Sequence, residues 1–386
     1  MNRSVDDDLY INLHSTIADI PAIEWDGLNI SGYPFASHAF LSALEESGSV
    51  GADTGWQPLY ICIRRGKDEP YLGAVPAYLK YHSYGEYVFD HSWANAFERA
   101  GGRYYPKLLS AIPFTPVTGP RLLAQDASAA LKCALADAVL ALVQQYQLSS
   151  AHINFVAPSD AQLLQQQGWL VRQGLQFHWH NASYANFDEF LASLSSRKRK
   201  NIRKERAGVM AAGVTMRQLT GDAISPDHID TFYRFYLSTI DRKWGGAYLT
   251  LPVFQQLRKT MADKMLLVVA EYDGRIIGGA LNFIGEDTLY GRNWGADIDI
   301  PFLHFEACYY QAIDYAIRHG LARVEAGAQG FHKVQRGYLP ETTWSLHHLA
   351  DDGFRAAVAR FLDAESRGIS DEKNQIALTT PFRSAR

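Results

Sequence analysis

Leu266-Leu-Val-Val-Ala-Glu-Tyr-Asp-Gly-Arg-Ile-Ile-Gly-Gly-Ala-Leu-Asn-Phe-Ile284 is two apolar runs on either side of an Asp273-Gly274 pair. Asp-Gly between apolar runs signals a tight hairpin, because such a turn needs positive φ at its central residues. Antiparallel strands are therefore expected over Leu266–Tyr272 and Arg275–Ile284. Thr288–Trp294 adds a third strand, Phe302–His319 a helix and Leu321–Ala326 a short strand. Strands that pair in parallel need a long crossover, usually a helix, so the last strand is expected to lie parallel to its neighbour.

Directly after it comes Glu325-Ala-Gly-Ala-Gln-Gly-Phe-His-Lys-Val-Gln-Arg-Gly-Tyr-Leu-Pro340, dense in glycine, amide and cationic residues where a short apolar strand should simply end. Glycines after a strand let backbone approach a ligand closely, and loops on a rigid sheet are where binding groups sit. Gln329, His332, Lys333 and Arg336 supply donors suited to a phosphate, carboxylate or carbonyl oxygen. An exposed basic turn is the competing explanation.

Upstream, the same order of elements is legible once before. Helices are expected at Pro21–Leu28 and His38–Glu46, a hairpin at Leu59–Arg64 and Tyr71–Tyr81, and a third strand at Glu86–Asp90. A connection of about 36 residues leads to a long helix from Ala127 to Gln147, since loops of this length are commonly functional. The strand Ala151–Val156, a helix over Ser159–Gln167 and strand material around Trp169–His180 would close this half. The second half opens with Val214–Leu219 and helices at Pro226–Ile240 and Pro252–Asp263. The division expected is 1–183, 184–369 and a flexible tail over 370–386.

At 386 residues, with 47% apolar and 20% charged residues, the chain suits two globular domains. It has no stretch approaching the ~20 apolar residues of a membrane span and no apolar run behind a basic start, so a cytoplasmic location is expected. Three widely spaced cysteines, Cys62, Cys133 and Cys308, read as reduced thiols rather than a disulfide framework or zinc site. A net charge of −4 leaves any polyanion to a local patch. That patch is Arg197–Arg206, with seven cations in ten residues. Its alternatives are a solvated helix face and a helix that tracks RNA or anionic cell-wall precursor phosphates.

Strand, strand, strand, helix and parallel strand, met twice, resembles the Gcn5-related N-acyltransferase fold. The segment Leu194-Ser-Ser-Arg-Lys-Arg-Lys-Asn-Ile-Arg-Lys-Glu-Arg206 resembles the basic helix of the Fem-type aminoacyl transferases of peptidoglycan branching. The match is closer to the FemAB-like family of predicted bacterial N-acyltransferases. Gly291-Arg-Asn-Trp-Gly295, Leu303-His-Phe-Glu-Ala-Cys-Tyr-Tyr310, Gly327-Ala-Gln-Gly-Phe-His-Lys333, Tyr104-Tyr-Pro-Lys107, Pro113-Phe-Thr-Pro116 and Gly119-Pro-Arg-Leu-Leu123 carry it. The resemblance implies an α/β (α+β) protein of two tandem acyltransferase-like domains, with mixed, mostly antiparallel sheets flanked by helices. It also implies a donor lying where the third strand and the following parallel strand part, bordered by Arg292, Trp294 and Glu325. Acyl-CoA or aminoacyl-tRNA would be co-substrate and a small-molecule or peptide amine the acceptor. Gly295-Ala-Asp-Ile-Asp-Ile-Pro301 departs from the pyrophosphate loop of acetyl-CoA enzymes, since Asp297 and Asp299 repel phosphate.

Glu306 falls on the apolar stripe of its helix, so it is either a proton acceptor with a tuned pKa or a structural carboxylate held by a tyrosine or arginine. His304 is a third catalytic candidate or an ordinary helix-start histidine. Glu325 faces a cleft or pairs with Arg323. In the first half Asp90, Trp93, Tyr105 and Lys107 sit in the long connection and form a substrate wall or plain packing. No Gly-x-x-x-x-Gly-Lys-Ser/Thr, Gly-x-Gly-x-x-Gly after a strand, Gly-x-Ser-x-Gly or His-Glu-x-x-His is present, and no metal is implied. The sequence thus supports an N-acyltransferase, or else the same fold without chemistry, binding a peptide or cell-wall fragment.

Overall fold

The structure, a computed structural model, describes residues 9–126, 128–241, 246–327 and 330–383. In chain order it begins with β1 (Tyr10–His14), α1 (Ala22–Leu28), α2 (His38–Glu46), β2 (Trp56–Pro58), β3 (Tyr60–Arg64), β4 (Gly73–Val75) and β5 (Ala77–Lys80). Then follow α3 (His91–Arg99), β6 (Lys107–Ser110), β7 (Leu123–Ala124), α4 (Ala129–Gln145), β8 (Ser150–Val156), α5 (Pro158–Gln166) and β9 (Leu170–His180). The next elements are α6 (Phe187–Ser193), α7 (Ser196–Ala211), β10 (Thr215–Thr220), α8 (Pro226–Asp241), α9 (Leu251–Met261), β11 (Met265–Tyr272), β12 (Arg275–Ile284) and β13 (Thr288–Ala296). The chain continues with α10 (Leu303–Phe305), α11 (Gln311–Arg318), β14 (Arg323–Glu325), β15 (Leu339–Leu349) and α12 (Asp352–Ala377).

Two compact units share this chain: one holds the residues up to Gly174 with Thr342–Ser370, the other Leu175–Glu341 with the residues from Asp371 on. The expected limits at 183 and 369 are therefore replaced by an interleaved division, because β9 and β15 each run out of one unit and into the other. The expected flexible tail is corrected as well. α12 continues to Ala377, Ile376 is buried in the second unit's core, and Leu194 and Phe382 form a β-bridge. The segment is polar nearly all round, so its two anchoring apolar residues, Ile376 and Phe382, left no periodicity to read.

In the first unit a small antiparallel sheet, β1-β3-β4-β7, accompanies the run β2-β5-β6-β8. The expected strand Tyr71–Tyr81 is split at Pro76, which has no N–H to give the ladder, and its two pieces join different sheets. β5 and β6 are antiparallel, whereas β6 and β8 are parallel from Leu108↔Ala151 to Ser110↔Ile153, with α4 as the crossover. Leu135, Val139 and Leu142 of α4 pack with Ile61, Val75, Leu108 and Ile153 as the core. Trp344–Leu349 of β15 then pairs antiparallel with β8. The long connection after Asp90 contains α3, β6 and β7, and Glu86–Asp90 is loop rather than strand.

The second unit repeats the order. β10, β11, β12 and β13 form an antiparallel meander, β13 and β14 are parallel from Thr288↔Arg323 to Tyr290↔Glu325, and α11 lies in the crossover. His178–His180 of β9 pairs antiparallel with β14, so the strand expected to close the first half completes the second unit's sheet. A parallel strand left at an edge exposes a row of unpaired backbone groups, and in both units an antiparallel strand covers that edge. The helix expected over Phe302–His319 is not continuous. Phe302 is left-handed at φ 69°, and a π turn spans Glu306–Tyr310 between α10 and α11. π turns of this kind recur at functional sites.

Candidate functional site

In the second unit β13 runs on beside β12 as far as Ala296, whereas β14 ends at Glu325. The two parallel strands therefore part beyond Tyr290. Gly291 marks the place: a Cβ there would stand 3.2 Å from the carbonyl oxygen of Glu325, so glycine lets the strands stay close until they separate. Arg292 and Trp294, half-buried, follow on β13.

Glu325 is buried and its Oε2 has no hydrogen-bond partner among the described residues. Its neighbour across the β14–β9 pairing is His178, whose Nε2 lies 3.8 Å from that oxygen. Burial pushes the Glu325 carboxyl up to about 8, against the opposing pull of Arg323 and Arg292. Burial likewise lowers His178 to about 3, so the ring is neutral and gives no positive charge to hold the carboxylate ionised. No ion pair joins Glu325 to Arg323, whose guanidinium instead reaches Asp287 at 3.5 Å. His178 was not anticipated, although the polar residues Gln176, His178 and His180 alternate along one strand face.

Beyond Glu325 the loop turns at Gly327, Gly330 and Gly337, all at positive φ. Gln329 lies outside the described residues. Lys333 is buried and donates from Nζ to the Gly327 carbonyl at 2.7 Å, which ties the start of the loop to its helical end. Burial lowers this lysine to about 8. His332 bonds the Tyr309 hydroxyl at 2.9 Å, and its pKa is lowered by burial, Arg336 and Lys333. Arg336 donates to the His332 carbonyl at 2.8 Å and to both oxygens of Glu205 at 2.9 and 3.0 Å, and its guanidinium lies 3.4 Å over the Phe305 ring. The turn is thus held from inside, not an exposed basic loop.

His304 joins this group through its ring, 5.5 Å from Trp294, 5.3 Å from Tyr309 and 6.2 Å from His332. Glu306 does not. The π turn buries it against α7, where Arg206 grips both its oxygens at 3.1 Å and Gln311 adds a bond at 2.8 Å. With its lone pairs engaged by a guanidinium and an amide, Glu306 fits the structural alternative. The structure therefore groups Trp294, His304, His332 and Arg336, sets Arg292 within electrostatic reach of Glu325, and holds Glu306 against α7 instead.

α7 forms as expected. Ile202 and Val209 bury one face, Glu205 and Arg206 turn inward to Arg336 and Glu306, and Arg197, Lys200, Arg203 and Lys204 are exposed.

Asp90, Tyr105, Lys107 and Trp93 come together in the first unit. Lys107, fully buried, forms ion pairs with Asp90 and with Glu86 at 2.8 Å and bonds Ser83 at 2.9 Å, while Ser83 also meets the Tyr105 hydroxyl at 2.8 Å. Burial alone would raise Asp90, but Lys107 and His152 hold it well below the usual range; Glu86 is pushed by burial up to about 7. Tyr104 donates to Asp90 at 2.6 Å, and Trp93 packs edge-on to His347, which meets His152 at 2.6 Å. Glu86, His152 and His347 were not anticipated. Glu86 meets Lys107 from the loop after β5, and His152 and His347, 195 positions apart, meet across the β8–β15 pairing.

Known proteins share this architecture. The FemAB-like family model, described as peptidoglycan biosynthesis/recognition, matches residues 16–384. The crystal structure of FemX superposes with a TM-score of 0.57 at 14% identity, covering 88% of this chain and 98% of that one, a likeness of fold. The L-PGS structure from Bacillus licheniformis gives 0.49 at 11% identity over 86% and 98%. A tandem GNAT protein of the clavulanic acid biosynthesis pathway gives 0.47 at 10% over 89% and 99%. No curated protein matches the chain by sequence.

Proposed function

From a chain that belongs to the FemAB-like family, we propose an N-acyltransferase whose reacting centre lies where β13 and β14 part. The observation that carries it is Glu325, a buried carboxyl at the end of the parallel strand with one oxygen unpartnered and a pKa near 8. A proton-transfer group works best when its pKa lies near the operating pH. In this scheme the acceptor nitrogen attacks the carbonyl carbon of the donor and Glu325 takes the proton that the nitrogen must lose. The bond from carbonyl carbon to the carrier oxygen or sulfur breaks, and Glu325 returns the proton to that leaving atom. Arg292, His304 and His332 border the gap and supply contacts for the donor's polar groups. Lys333 and Arg336 hold the loop in shape.

For the donor we infer an aminoacyl-tRNA rather than acyl-CoA. Two observations support it: the exposed cations of α7, and the exposed Asp297 and Asp299 in the position of a pyrophosphate loop. α7 also carries Glu205 and Arg206, which tie the same helix to Arg336 and Glu306. Among the described residues no helix is long and apolar enough to cross a membrane. The acceptor is taken to be a peptidoglycan-precursor amine, in line with the family's description. Incubation with charged tRNA or acyl-CoA and a muramyl peptide bearing a free amine tests this. Product only with charged tRNA is expected; product from neither donor would leave a binding module.

A further inference from the structure

The loop from Tyr81 to His91 alternates in a way that the transfer chemistry does not use. Tyr81, Tyr84, Tyr87 and Phe89 point to solvent, with Tyr84 60% and Phe89 62% exposed, whereas Ser83, Glu86 and Asp90 between them are buried. Tyr84 and Phe89 join His82 and His91 in one run of rings: centroids are 5.2 Å apart for His82–Tyr84, 5.8 Å for Tyr84–His91 and 6.4 Å for the stacked pair Phe89–His91. Large aromatic side chains gathered on a surface mark an interaction site more often than chance exposure.

The loop is held rigidly from beneath. Lys107 binds all three inward side chains, Ser83, Glu86 and Asp90. Trp56 donates to the Tyr84 carbonyl at 3.2 Å, His82 bonds the Thr54 carbonyl at 3.0 Å, and Arg172, itself paired with Glu365, donates to the Phe89 carbonyl at 2.7 Å. Gly85, at φ 78°, leaves room only for hydrogen, since a Cβ would stand 2.7 Å from the Phe114 ring. Tyr87 keeps a positive φ of 59°, uncommon for a residue with a Cβ. With the backbone held in this way, only the rings' own rotations are lost when a ligand stacks on them.

We propose that this surface is a glycan-stacking platform, taking a pyranose ring of a polysaccharide or of the sugar part of the acceptor. A pyranose offers an apolar C–H face rimmed by hydroxyls. Tyrosine and histidine match it with an apolar body and a polar tip. Residues 81–92 contain no lysine or arginine, and Arg172 is engaged by Glu365, which disfavours stacked nucleic acid and its phosphates. The sugar in the acceptor rests on the peptidoglycan assignment above, but stacking itself needs neither donor nor transfer.

Titration of the full chain with a β-1,4-linked N-acetylglucosamine tetramer, followed by intrinsic fluorescence and by calorimetry, tests the platform. Saturable binding is expected, weakened roughly tenfold by Tyr84→Ala and by Phe89→Ala. Ile23→Ala, exposed elsewhere in the same unit, serves as a control and leaves binding unchanged. All these side chains are exposed, so folding should survive each change, as circular dichroism would verify. No binding, binding indifferent to both variants, or displacement of the tetramer's effect by an RNA oligonucleotide would overturn the proposal. Glycan binding without transfer would sink only the transferase reading, and transfer without glycan binding only the platform.

Discussion

Glu325 and His178 face each other across the antiparallel pairing of β14 and β9, and burial drives both toward their neutral forms. A carboxyl near 8 beside an imidazole near 3 is not an ion pair at neutral pH. On the proposal above this carboxyl, at the end of β14, is the group that exchanges a proton. Pairs of titratable groups whose environments push them apart are a mark of acid–base chemistry.

The same shift makes a stability prediction. Because the folded-state pKa of about 8 exceeds the ordinary 4.5, the folded protein holds an extra proton between those values. Stability from this group is full below about 4.5 and is lost as pH rises through 8, by a few kcal/mol at most. Glu325→Gln should abolish that loss, so urea midpoints of the variant and the parent should converge at acid pH and separate at pH 9 in the variant's favour.

Glu306→Gln should cost stability more than turnover. It leaves the Arg206 guanidinium without its bidentate partner, at a cost of about 1–3 kcal/mol in chemical denaturation. Transfer by the folded variant should stay within a few fold of the parent.

Lys107→Met should destabilise the first unit by about 3–5 kcal/mol, since Glu86 and Asp90 would remain buried facing each other without their cation. Removing both carboxylates as well should restore part of that loss, which a three-variant series of denaturation curves would reveal.

Neutralising Lys200 or Lys204 on the exposed face of α7 should weaken RNA binding uniformly across sequences. Each change should reduce the slope of log affinity against log salt by about 0.7–0.9 if that cation meets a phosphate. A slope that stays constant through both variants would place RNA elsewhere or nowhere.

Much of the fold was legible because it is written locally. The Asp273-Gly274 turn and the apolar runs around it foretold β11 and β12, and the helical period from Ala127 to Gln147 foretold α4, which spans Ala129–Gln145. The exchange of β9 and β15 between the units was not legible, since a strand's sequence states that it must pair and not with which sheet. Glu306 was legible as an inward-facing residue of its stripe, but its partner Arg206, 100 positions upstream, was not, and no local pattern announced the π turn over Glu306–Tyr310. Glu325 was legible as an exception, a carboxylate ending an apolar strand, but its partner His178 lies 147 positions upstream and meets it only through β9 (325 − 178 = 147).

The pH dependence of single-turnover acyl transfer, measured for the parent and for Glu325→Gln, tests the central claim most directly. The account predicts a parent rate that climbs with pH and levels near 8, and a variant slower by roughly 10²–10⁴-fold with that limb gone. A Glu325→Gln rate within a few fold of the parent, with the limb intact, would contradict it.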